Sequence, residues 1–155
     1  YGEENYSKRI VSKILKVREN KNIETTFELA DIIREAVPKN TVDSLKRIFQ
    51  ALRIEVNGEL KDLKKAVEDS ILSLADGGRL CIITFHSLED RIVKNVFKKY
   101  SDIDPLVKGL KEIPDAYKPL IKLVNKKPIL PSKKELEENS RSRSAKLRVI
   151  ERIWL

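Results

Sequence analysis

His86, Ser87, Glu89, Asp90 and Arg91 fall within six consecutive residues, and His86 is the only histidine of the 155-residue chain. An imidazole beside two carboxylates and a guanidinium can orient a polar substrate, accept a proton or contact phosphate. A serine hydrolase relay is excluded, because neighbours in one turn cannot adopt the required geometry and no nucleophile elbow precedes Ser87. A second group, Arg141, Arg143, Lys146 and Arg148, crowds cations into the lead-in to a strand, suited to clamping phosphates. Lys39, Lys46, Arg47 and Arg53 form a third, looser basic group. Each also has a plain architectural reading: a capped helix start for the first, solvated basic surface for the others. Both readings stand at this level.

The elements that must position these residues are legible in the patterning. Leu80-Cys81-Ile82-Ile83-Thr84 follows Gly77-Gly78 and reads as a strand over 79–85, buried on both faces as in a parallel sheet. His86 then sits at the strand's carboxyl end, the edge where open parallel α/β sheets bind ligands. Ser87 is the expected cap of a helix over 87–100, with Glu89 and Asp90 complementing its dipole. Upstream, apolar spacing predicts a helix over 4–20. Thr25 with Glu28 predicts a capping box that opens a second helix, ended by Pro38 near Val37. Residues 38–47 read as a basic connection. A long helix is expected over 48–75, with Gly58 a mild interruption of about 1 kcal/mol. After Ser101 the spacing of Pro105, Gly109, Pro114 and Pro119 predicts loop and short helical pieces. Leu120–Val124 reads as a strand, Ser132 with Glu135 as a second capping box, and Lys146–Trp154 as a last strand.

Composition bounds the function. With 32 Lys and Arg against 24 Asp and Glu, the chain carries net +8, a balance that suits nucleic acid first and an anionic membrane second. No apolar run reaches the roughly 20 residues that span a bilayer. The single cysteine, Cys81, reads as a buried small apolar residue in a reducing compartment, so a cytoplasmic location is expected. One cysteine and one histidine cannot by themselves build a zinc cluster. No glycine-rich turn joins a strand to a helix, so neither a dinucleotide fingerprint nor a P-loop can be drawn. The chain contains no methionine and opens on Tyr1-Gly2-Glu3-Glu4. It is read as a fragment of a longer protein, with removal of a leader as the competing explanation.

Several strings together resemble one family. They are Tyr1-Gly2-Glu3-Glu4 with Arg9-Ile10, Thr25-Thr26 with Glu28-Leu29-Ala30, and Phe49-Gln50-Ala51-Leu52-Arg53-Ile54-Glu55-Val56-Asn57. Gly77-Gly78-Arg79-Leu80 follows, running on into Phe85-His86-Ser87-Leu88-Glu89-Asp90-Arg91-Ile92-Val93-Lys94. Lys127-Pro128 and Arg141-Ser142-Arg143-Ser144-Ala145-Lys146-Leu147-Arg148 complete the set. The chain resembles, over essentially its whole length, the carboxyl-terminal half of the RsmH (MraW) family of bacterial 16S ribosomal RNA cytosine-N4 methyltransferases.

That resemblance implies an α/β fold: the later part of a Rossmann-like methyltransferase domain, with a mostly helical insertion at the amino end. Residues 3–47 would be the helical, substrate-recognition insertion and 48–155 the carboxyl-terminal part of the methyltransferase domain. It implies S-adenosyl-L-methionine as donor, bound by motifs upstream of Tyr1, and 16S ribosomal RNA or the small ribosomal subunit as partner. The fragment alone would then be inactive; a homodimer stays open and no membrane is expected. His86, Ser87, Glu89, Asp90 and Arg91 would position substrate. Lys46, Arg47, Arg53, Arg141, Arg143, Lys146 and Arg148 would hold RNA; no metal is expected. Two departures stand out. Asp43-Ser44-Leu45-Lys46 replaces a His-Pro-Ala-Thr-type segment, and Asn139-Ser140-Arg141 replaces Asn-Pro-Arg. A non-catalytic basic module that binds ribosomal RNA is the alternative from another class.

Overall fold

The computed structural model describes residues 1–153. The chain divides into two compact units, Tyr1–Glu59 and the residues from Leu60 onward.

The first unit is helical: α1 (Ser7–Arg18), α2 (Thr26–Ala36) and α3 (Thr41–Asn57). Ile10 of α1 and Ile33 and Ala36 of α2 make its core with Val37, and Leu45, Ile48 and Phe49 of α3 pack against them. Thr25 and Glu28 form the expected capping box at the start of α2: the Thr25 hydroxyl accepts from the Glu28 N–H, and the Glu28 carboxylate accepts from the Thr25 N–H at 3.1 Å. The carboxylate also accepts from the Glu24 N–H at 2.9 Å and pairs with Lys21. That set of donors, led by the Glu24 amide, holds its pKa down at about 2.

Two sequence expectations are corrected here. Residues 38–47 are not a connection throughout, because α3 begins at Thr41, after Asn40 in the left-handed conformation. Nor does one helix run over 48–75: it stops at Asn57, and α4 (Leu63–Leu72) starts afresh. Gly58 adopts φ 62°, which costs glycine little, and the Glu59 N–H bonds back to the Ile54 carbonyl at 3.1 Å in a Schellman closure. Arg53 and Asn57 then anchor the Glu59 carboxylate, with Arg53 Nε at 2.8 Å. Apolar residues three and four apart continue across the break, so periodicity alone could not reveal it.

The second unit is mixed α/β. Strands β1 (Arg79–Thr84), β2 (Ile121–Leu123) and β3 (Lys146–Arg152) form a sheet of order β1-β3-β2, antiparallel at both pairings. Helices α4 and α5 (Ser87–Ser101) flank β1 in the chain, and 3-10 turns lie at Pro105–Val107, Asp115–Tyr117 and Ser140–Ser144. A short helix α6 (Lys133–Glu138) is capped by Ser132, which accepts from the Glu135 N–H. The core joins Val67 and Ile71 of α4, Val93, Val96 and Phe97 of α5, Ile121 of β2 and Ile150 of β3, with Leu80 and Ile82 of β1 packed against it. These strand residues share one face because side chains alternate.

Strand β1 is not buried on both faces. Its alternate residues Arg79, Cys81 and Ile83 are exposed, and its one ladder partner among the described residues is the antiparallel β3. An apolar run satisfies the covered face equally well whatever meets the other, so the sequence could not separate the two cases. The last two strands expected from the sequence are both present and pair antiparallel; Trp154, included in the predicted last strand, lies outside the described residues.

Candidate functional site

The register Thr84↔Lys146 brings the carboxyl end of β1 beside the amino end of β3. The start of α5 and the 3-10 turn Ser140–Ser144 are therefore neighbours, which unites two of the three candidate groups.

At the start of α5 the cap is His86, not Ser87. His86 is extended, its Nδ1 accepts from the Glu89 N–H at 3.3 Å, and the Glu89 carboxylate accepts from the N–H groups of Phe85 at 2.9 Å and His86 at 3.4 Å. An accepting Nδ1 carries no proton, so a neutral ring bears its hydrogen on Nε2. Nε2 is buried, 3.3 Å from Glu89 Oε1, without the alignment of a hydrogen bond. Ser87 occupies the first helical position. The hydroxyl of serine is the commoner cap, which is why sequence reasoning chose it. The spacing of His86 to Glu89, three residues as in a capping box, was the available signal for the other assignment.

Asp90 and Arg148 are locked together. Arg148 Nε and Nη2 donate to the two Asp90 oxygens at 2.7 and 3.1 Å, a bidentate fork between α5 and β3. Lys146 Nζ stands 3.8 Å from the same carboxylate. The Arg148 hydrogen bond is the main reason the Asp90 carboxyl sits below its ordinary range, despite the opposing cost of burial; the charges of Arg148 and Lys146 add to it. Arg148 itself is buried. Two of the four cations of the second basic group thus face the Asp90 carboxylate, whereas Arg141 and Arg143 are exposed in the 3-10 turn. Asn139 caps that turn through Oδ1, which accepts from the Arg141 N–H at 3.2 Å. The stretch is therefore an ordered turn rather than a loose lead-in.

Next to this junction lies a groove of about 500 Å³ on the exposed face of the sheet. Ile83, Phe85, Ile129, Leu130 and Leu147 give it an apolar floor, and Arg141 stands on its lining. Asn125 holds the neighbouring loop to β3: its Oδ1 accepts from the Val149 N–H at 2.7 Å, and its Nδ2 donates to the Lys127 and Leu147 carbonyls. Sequence reasoning missed both the groove and Asn125, since neither carries a local signature.

The third basic group lies in the first unit. Arg53 is paired to Glu59, and Arg47 Nη1 lies 3.5 Å from Glu4 Oε2, while the Lys46 side chain is exposed and 3.8 Å from Asp43. Glu4 is buried; burial opposes its ionisation, but the Tyr6 N–H, Ser44 and Arg47 together hold its pKa below the ordinary value. Gly2 allows this approach, because a Cβ there would come within 2.5 Å of the Arg47 carbonyl oxygen.

The end of β1, the start of α5 and the arginine turn thus meet in an α/β unit whose sheet is antiparallel, so the parallel-sheet ligand edge expected from the sequence is not what places them together. The family model described as the MraW methylase family matches residues 1–153. The chain belongs to that family, and methyltransferases as a class take their methyl group from S-adenosylmethionine. No glycine-rich turn links a strand to a helix, and the N–H groups of Phe85, His86 and Glu89 at the start of α5 are taken by the capping box. No helix among the described residues is long and apolar enough to cross a membrane.

Proposed function

We propose that this chain serves the S-adenosylmethionine-dependent N4-methylation of a cytidine in the decoding region of 16S ribosomal RNA, as the part that shapes and holds the RNA side of the site. The observation that carries this reading is the meeting of the FHSLEDR segment with the Ser140–Ser144 turn, within a chain of the MraW methylase family. Methyl transfer to an exocyclic amine demands in-line placement of the acceptor and a group to take the proton it loses. In this reading the exposed Arg141 and Arg143 contact phosphate, with Lys46 as a further contact. The Asp90–Arg148 fork and the His86–Glu89 box keep the end of β1 rigid. The donor is held by residues other than those described, and the protein acts in the cytoplasm.

The test is Arg141→Ala with Arg143→Ala in the enzyme, read as affinity for 16S ribosomal RNA across a salt series. Loss of two phosphate contacts lowers the slope of log affinity against log salt by about 1.4–1.8. An unchanged affinity and slope would sink the assignment. The net charge of +8, with Arg141 and Arg143 exposed, also suits a second reading, a non-catalytic RNA-binding module. Methyl transfer to 16S ribosomal RNA by the enzyme separates the two, and calorimetric titration of S-adenosylmethionine into this chain tests where the donor is held. Tight binding contradicts a donor held elsewhere and favours catalysis by the chain as it stands. No binding together with intact RNA affinity supports an RNA-holding role.

A further inference from the structure

Helix α1 has an unusual charge pattern. It carries Lys8, Arg9, Lys13, Lys16 and Arg18 and not one acidic residue. Lys13 is paired to Glu35 of α2 at 2.8 Å. Lys8, Arg9, Lys16 and Arg18 are exposed and have no ion-pair partner among the described residues. Most other basic side chains of this unit are answered by a carboxylate: Arg34 by Asp31, Lys21 by Glu28, Arg53 by Glu59, Arg47 by Glu4; Lys39, in the turn before α3, is the exception. The opposite side of α1 is committed, because Ile10 is fully buried in the core and Tyr6 and Ile14 pack against the same cluster.

At about 100° per residue, Lys8, Ser12, Lys16 and Arg9 fall on one continuous strip of the exposed face. From Lys8 to Lys16 that strip extends about 12 Å, with Ser12 a small hydroxyl between the cations. The acid nearest in the chain is Glu19, just past the carboxyl end of the helix, where the dipole already disfavours it. Cations left unpaired in a row, with a small polar residue between them, complement a row of phosphates.

We infer that the exposed face of α1, through Lys8, Arg9 and Lys16, is a phosphate-binding surface for RNA, separate from the Ser140–Ser144 turn. This rests on the reading of RNA as the partner. An anionic membrane is the other class of polyanion. A helix lying in a membrane needs a broad apolar face on its free side, and α1 offers only the adjacent pair Val11 and Leu15 there.

The experiment is RNA affinity of the whole chain by fluorescence anisotropy over a salt series, with a 16S ribosomal RNA transcript as probe. Wild type is compared with the triple variant Lys8→Gln, Arg9→Gln, Lys16→Gln. The expected result is at least tenfold weaker binding at moderate salt and a slope of log affinity against log salt reduced by about 2. Lys8→Arg with Lys16→Arg, which keeps the charge, binds like wild type and shows that the loss follows charge rather than folding. If wild type binds RNA and the triple variant matches it in affinity and slope, the α1 surface is wrong while the RNA reading stands. If wild type itself fails to bind, the RNA reading falls and this inference with it. Binding to vesicles of anionic lipid that is lost on Val11→Ser with Leu15→Ser, without an RNA effect of the triple variant, would assign the face to membranes and overturn the proposal.

Discussion

Thr25–Glu28 and His86–Glu89 are the same hydrogen-bonded device at the starts of α2 and α5, and they are embedded differently. In both, a side chain accepts from an N–H three residues on, and a glutamate reaches back to the N–H of the cap. At α2 the partners stay local and exposed: Glu24, Thr25 and Lys21 satisfy Glu28. At α5 the next residue, Asp90, is tied by the buried Arg148 to a strand 58 positions away. The first box starts a helix; the second fixes where a helix, a strand end and an arginine turn meet. An identical local motif therefore says little about a site until its long-range partners are known.

The comparison can be broken most forcefully at the fork. Asp90→Asn leaves Arg148 buried without its carboxylate and is expected to cost about 3 kcal/mol, measured by urea denaturation of the second unit. Asp90→Leu combined with Arg148→Met should recover most of that loss; failure to recover would show that the pair does more than fill a buried space. The carboxyl of Asp90 titrates below its ordinary 3.8. Its contribution is thus complete above about pH 4 and disappears as pH falls through the lowered folded value. A Asp90→Asn protein should lack that part of the acid destabilisation.

A smaller effect is expected at the α5 cap. His86→Ala should destabilise by about 1–2 kcal/mol, whereas His86→Asn, itself a good cap, should stay near wild type. Stability and methyl transfer of the enzyme, measured side by side, separate structure from chemistry: an Asn variant that is stable but inactive would give the imidazole a role beyond capping. At α2, Thr25→Ala should cost about 1 kcal/mol, seen as faster amide hydrogen exchange confined to that helix. Smallest is Glu28→Gln. Because the pKa of Glu28 is lowered from 4.5 to about 2, its contribution is present above pH 4.5 and lost as pH falls through about 2. The variant should flatten α2 protection across that window and leave α5 unchanged.

Much of this molecule was legible from local chemistry. The Thr25 box, the stop before Pro38, the 3-10 pieces among the prolines and the presence of the last two strands rest on short-range rules of capping, φ restriction and alternation. The family is legible too, because FQALRIEVN and FHSLEDRIVK are long strings. What the sequence could not decide depends on partners far along the chain. Gly58 ends a helix because it takes up the left-handed conformation and Glu59 finds Arg53 and Asn57, while the apolar rhythm runs on regardless. Cys81 and Ile83 are exposed because burial of a strand's second face depends on what is laid against it. Arg148 and Arg141 are chemically alike and seven residues apart, yet one faces Asp90 and the other the surface. That choice is made by register, since only the folded sheet sets Arg148 across from the start of α5 and leaves Arg141 in the turn before it.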